Sequence, residues 1–157
     1  MLFVLVVVFV VFLIKTKHIT ITADGLDGTP IHCYLTDPQL TLKWRHSVEK
    51  QYWQEYYEQH GDRLHLTRTY MQAFGAGTPV AGDAIDAPAG YVGLSVDQWY
   101  DELNWVVSHN MRGEIELPTH TIAIYQYLAD YTPVRIRIES HAPFGWWQMD
   151  KCQGEFQ

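Results

Sequence analysis

A period of two runs through this chain. Leu40, Leu42 and Trp44 alternate with Thr41, Lys43 and Arg45, which puts apolar side chains on one face of an extended strand and polar ones on the other. Val134, Ile136 and Ile138 repeat the pattern against Arg135 and Arg137. Between such runs stand the turn formers Asp24-Gly25, Asp27-Gly28, Asp37-Pro38 and His60-Gly61-Asp62, at roughly the eight- to twelve-residue spacing of an all-β sandwich or barrel. The expected fold is an antiparallel β-sandwich or barrel-like domain over residues 18–157. A chain of 157 residues holds one ordinary domain and not two.

Expected strands are Thr20 to Ala23, Ile31 to Thr36, Leu40 to Arg45, Gln51 to Gln59 and Leu64 to Met71. Asp97 to Val107 carries both helical and strand patterns, and its surroundings favour a strand. Ile122, Ile124 and Leu128 share a parity, and Thr132-Pro133 sits where a last hairpin would turn. Phe74 to Gly93 is rich in Gly, Ala, Pro and Asp and reads as a long loop, a kind that is usually functional or disordered.

Register follows from parity. If Ser47 to Lys50 turn the chain, His46 opposes Gln51, Trp44 opposes Trp53 and Leu42 opposes Glu55. One face then carries Leu40, Leu42, Trp44, His46, Trp53, Glu55 and Tyr57. If His60 to Arg63 form the next turn, Gln59 opposes Leu64 and Glu55 opposes Arg68. The alternative register would expose Leu64 and Leu66 and bury His65. Glu55 thus falls on a mostly apolar face, where a carboxylate must be paired or raise its pKa. Arg68 is its expected partner.

Leu2 to Ile14 is unbroken Leu, Phe, Val and Ile, followed by Lys15-Thr16-Lys17. As a helix it would span roughly 20 Å, short of a hydrocarbon core of about 30 Å. A cleaved signal peptide lacks its basic n-region and its small-residue cleavage site here. A buried core element is a second reading. An uncleaved anchor over residues 1–17, with Lys15 and Lys17 snorkelling, is the reading adopted. The two lysines, read by the positive-inside rule, would place the domain in the cytoplasm.

Eleven Lys and Arg against eighteen Asp and Glu give a net charge of −7, which argues against binding a phosphate backbone or any nucleic acid. Two cysteines, Cys33 and Cys152, cannot build a four-cysteine zinc site. The histidines are scattered without His-x-His or His-x3-His pairs, so no metal and no cofactor is expected.

Trp44-Arg45-His46-Ser47-Val48-Glu49-Lys50, then Glu55-Tyr56-Tyr57, then Phe74-Gly75-Ala76-Gly77 resemble domain-of-unknown-function family 1850, the small single-span proteins encoded beside TAXI-type TRAP transporters. The family's common Thr-Pro after the Lys is Gln51-Tyr52 here. The resemblance implies a non-enzymatic accessory subunit of an organic-anion importer. It would lie in a bacterial inner membrane and associate with the multi-span membrane subunit, the TAXI substrate-binding protein and the lipid bilayer. It implies no catalytic residue.

The candidate interaction residues are His46, Ser47, Glu49, Glu55, Arg68, Gly75, Gly77, Trp146 and Trp147. His46, Ser47 and Glu55 suggest a hydrolase, but adjacent strand residues point to opposite faces and no Gly-x-Ser-x-Gly elbow is present. A polar cluster that fixes the hairpin is the alternative. Gly75-Ala76-Gly77 reads as an anion nest or as a glycine turn. Phe144-Gly145-Trp146-Trp147 reads as a docking patch or as packing on the end of the domain. Cys33 and Cys152 are either two thiols or a disulfide that clips the tail across the domain; the resemblance to an envelope transport family and such a disulfide outweigh the two lysines, so the domain is expected to face the periplasm. The competing function is a membrane-tethered envelope hydrolase or ligand-binding module built on His46, Glu55 and Arg68.

Overall fold

The computed structural model describes residues 15–75, 78, 82–142, 145, 149–152 and 156. Their strands are β1 (Thr16–Asp24), β2 (Pro30–Tyr34), β3 (Gln39–Arg45), β4 (Tyr52–His60), β5 (Arg63–Met71), β6 (Ala84–Ile85), β7 (Val92–Tyr100), β8 (Glu102–Val107), β9 (Glu114–Glu116), β10 (Thr121–Ile122), β11 (Thr132–His141) and β12 (Asp150–Lys151). A five-stranded sheet has the order β12-β2-β1-β11-β8, and a seven-stranded sheet the order β10-β9-β3-β4-β5-β7-β6. Among the described residues every pairing is antiparallel except β12 on β2. The protein is all-β, and its strands form two separate sheets.

The alternation determines which side chains are buried. Ile19 and Ile21 of β1 and Val134 and Ile136 of β11 meet Leu40 and Leu42 of β3 and Leu64 and Leu66 of β5 in one cluster. Each such side chain contributes about 1.5–3 kcal/mol by leaving water. Ile124 and Leu128 join that cluster.

The β3–β4 register is the expected one, with Leu40 opposite Tyr57, Leu42 opposite Glu55 and Trp44 opposite Trp53. Gln59 opposes Leu64, also as expected. Beyond that point β5 departs from the expectation. Leu66 opposes Tyr57 and Arg68 opposes Tyr56, leaving Thr67 as an extra residue in a bulge. Glu55 therefore faces Thr69, and Arg68 lies on the opposite face. The Glu55–Arg68 pair does not exist.

Three other expectations change. Asp97 to Val107 is two strands, with β7 in the seven-stranded sheet and β8 in the five-stranded one. Asp101 stands between them and is ion-paired to Arg63 at 3.0 Å. The segment from Phe74 to Gly93 carries β6 and the start of β7. Ile124–Gln126 is a 3-10 turn, so no hairpin turns at Thr132-Pro133; both residues already belong to β11, which pairs with β8 and β1.

Among the described residues no helix is long and apolar enough to cross a membrane, and the run from Leu2 to Ile14 lies outside them. β1 begins at Thr16, so Lys17 is a sheet residue, ion-paired to Asp62 at 2.8 Å.

Candidate functional site

The turn between β3 and β4 is tightly fastened. Gln51 O accepts from the His46 N–H at 2.8 Å, and the Lys50 N–H donates to His46 O at 3.0 Å. Lys50 takes φ of 59°, a left-handed conformation that costs a side-chain-bearing residue roughly 1–2 kcal/mol. The His46 ring stacks on Trp53 with centroids 4.9 Å apart, and its Nδ1 is ion-paired to the Glu49 carboxylate. Gly75 packs against that carboxylate, and a Cβ there would overlap it. The segment leading to Gly75 is bound to β4, since Gln72 Oε1 accepts from the Tyr52 N–H at 2.9 Å. His46, Glu49 and Gly75 thus form one polar clasp at the end of the hairpin.

Further along the same face of β4 lies Glu55. The Tyr57 hydroxyl donates to its Oε2 at 2.7 Å. Burial pushes the Glu55 carboxyl above the usual carboxylate range, and the Tyr57 hydrogen bond only partly opposes this. Burial, with Glu55 beside it, pushes the Tyr57 phenol up as well. Glu55 Oε1 has no hydrogen-bond or ion-pair partner among the described residues. Its cross-strand neighbour Thr69 is fully buried with Oγ1 unpartnered, and Trp53, two residues away, is buried with Nε1 unpartnered.

Glu55 opens onto a cleft of about 460 Å³, lined also by Trp44, Arg45, His46, Ser47, Trp105 and Tyr131. Both sheets contribute walls, because Trp44 stands on β3 and Trp105 on β8. The two indoles meet edge-on at 6.3 Å. Tyr131 is 79% exposed at the rim.

The structure brings His46, Ser47 and Glu55 to one cleft and leaves Arg68 out of it. The Arg68 guanidinium sits over the Tyr56 ring, 4.3 Å from its centroid, on the outer face. No hydrogen bond joins Ser47 to His46 among the described residues, so the nucleophile–base contact a hydrolase needs is not made. The Gly75 N–H donates to Thr78 Oγ1 at 2.9 Å, which closes a local turn and removes that amide from any anion nest. Gly77, Trp146 and Trp147 lie outside the described residues. Among the described residues no three His, Cys, Asp or Glu side chains are arranged to hold a metal ion.

Trp105 and Tyr131 were missing from the sequence reading of this site. Trp105 has the parity of Leu103 and Val107, which marks it as inward-facing; only the fold shows that it faces Trp44. Tyr131 reaches the rim through a left-handed φ of 68° that no neighbouring glycine announces.

Cys33 and Cys152 are joined in a disulfide with Cα atoms 4.9 Å apart, and both are fully buried. The bond fastens β12 to the edge of the five-stranded sheet, where Asp150 is in register with Cys33.

The class so defined is a two-sheet β domain with a disulfide-clipped tail and an aromatic, carboxylate-floored cleft. The chain belongs to the family described as Domain of unknown function (DUF1850), which matches residues 40–124. That match spans β3 to β10 and contains every described cleft residue except Tyr131. Comparison with curated proteins and with solved structures returns no match.

Proposed function

We propose that this protein is a non-enzymatic, membrane-anchored accessory subunit of a TAXI-type TRAP transporter that imports organic anions. The observation that carries the reading is an apolar run, Leu2 to Ile14, that leads within two residues into β1 of a DUF1850-family protein. As a single-span anchor, that run would hold the five-stranded sheet close to the bilayer and beside a multi-span membrane subunit. The substrate-binding protein is the second partner in this reading.

The β domain faces the periplasm in this proposal. A buried Cys33–Cys152 disulfide persists in an oxidising compartment. The opposing argument is a bias of only two lysines, Lys15 and Lys17, beside the apolar run.

Capture of the tagged full chain in mild detergent, followed by mass spectrometry, tests the assembly. Recovery of a TRAP membrane subunit supports it, and its consistent absence overturns it. Alkaline phosphatase fused after Gln157 tests sidedness. An inactive phosphatase together with a fluorescent cytoplasmic reporter at the same position would reverse the orientation.

A further inference from the structure

The geometry points to the cleft lined by Glu55, Trp44, Trp105 and Tyr131 as a binding site for a small organic ammonium ion, with Glu55 as its counter-charge. This goes beyond the transporter assignment and does not depend on it. Four observations converge on a cation. First, the floor carries a carboxyl group whose Oε1 has no partner among the described residues, while Oε2 is held by Tyr57 at 2.7 Å. A half-buried carboxyl with one oxygen open to the cleft is a strong acceptor for a positively charged donor.

Second, the walls are aromatic. Trp44, Trp105 and the rim residue Tyr131 offer π-faces and edges, and indoles attract alkylated ammonium groups most strongly of the side chains. Third, among the described residues no basic side chain is paired with Glu55, although Arg45 and His46 line the same cleft. Arg68 is on the far face over Tyr56, and the guanidinium of Arg45 is turned to Asn110 Oδ1 at 3.4 Å. The His46 ring is stacked on Trp53, with Nδ1 committed to Glu49. Fourth, the cleft volume of about 460 Å³ lies within the range of small-molecule sites, roughly 300–1,000 Å³.

Burial keeps the Glu55 carboxyl above the usual range. An entering cation favours the ionised form, so charge and shape are recognised together. A neutral molecule of the same shape gains the aromatic contact and not the ion pair.

The test uses the full chain in a non-ionic detergent, titrated with choline and with its neutral carbon isostere 3,3-dimethyl-1-butanol. Binding is read by tryptophan fluorescence and by calorimetry. Choline is expected to bind at least tenfold more tightly than the isostere. Glu55→Gln, which keeps the shape and an acceptor for Tyr57, is expected to remove that preference, and Trp105→Ala to weaken choline binding about tenfold. Equal affinity for the two probes overturns the inference, as does choline binding left intact in a folded Glu55→Gln variant. Absence of any saturable signal, or tighter binding of benzoate than of choline, also overturns it. If Glu55→Gln fails to fold, the comparison of choline with its isostere on the unmodified protein decides alone.

Discussion

The hydroxyl of Tyr57 donates to Glu55 Oε2 at 2.7 Å from two residues along the same face of β4. Tyr57 is 4% exposed and part of the main core, so this contact joins the hydrophobic cluster to the floor of the cleft. Tyr57→Phe removes the donor and leaves the carboxyl to bear its burial uncompensated. The expected cost is about 1–2 kcal/mol in urea unfolding. A variant as stable as the parent would show that the hydrogen bond adds nothing to stability.

Glu55 also gives the fold a pH dependence of definite sign. Its pKa is raised in the folded state, so the native protein binds more protons than the unfolded chain as Glu55 titrates. Stability from this group is full below the unfolded carboxylate pKa, about 4.3, and is lost as pH rises through the folded value. Glu55→Gln abolishes that slope. Thermal melts from about pH 4 to pH 8 are expected to show the variant gaining on the parent as pH rises. A parent that gains on the variant instead would reverse the assignment.

Arg68 is the residue that sequence reasoning placed wrongly, and the physical cause is specific. Leu64 and Leu66 point inward on even positions, whereas Thr69 and Met71 point inward on odd ones. The bulge at Thr67 makes that switch. Its only apolar signal is Met71, because Thr69 is polar and reads as outward-facing. The β3–β4 register was legible because Leu40, Leu42 and Trp44 keep one parity up to a turn. The division at Asp101 was hidden for the opposite reason: Trp99 and Leu103 share a parity across a change of sheet. Since Arg68 is exposed over Tyr56, Arg68→Ala is expected to cost no more than about 1 kcal/mol. A loss of about 3–5 kcal/mol, the mark of a broken buried ion pair, would restore the discarded pairing.

Gly75 and Glu49 are expected to be energetically coupled. A methyl group at Gly75 overlaps the Glu49 carboxylate and drives it away from His46. Gly75→Ala should therefore cost about 1 kcal/mol in the parent and close to nothing in a Glu49→Ala background. A double-mutant cycle of denaturation midpoints measures this. Additive effects would mean that Gly75 is needed for its backbone alone.

The disulfide closes a loop with a sequence separation of 119 and ties the tail to β2. In the chain-entropy model a loop of this size contributes about 4–5 kcal/mol. Reduction, or the Cys33→Ser/Cys152→Ser pair, is expected to lower the denaturation midpoint accordingly. Residues 15–142 hold both large sheets apart from β12 and should retain their β-type circular dichroism. Unchanged midpoints with and without reductant would show that the bond is not formed in the folded protein.

The apolar run and the β domain are expected to separate cleanly. The innermost residues of β1 are Ile19 and Ile21, and its first pairing is Thr16 with His141. Deleting residues 1–14 should therefore leave a chain that melts cooperatively with β-type circular dichroism. In cell fractions the deleted form should move from membranes to the soluble pool, while the full chain stays with membranes. Both measurements are needed, because a core element and an anchor differ in each. Loss of cooperative melting would make the run part of the core. A full chain found in the soluble pool would remove the anchor from the proposed assembly.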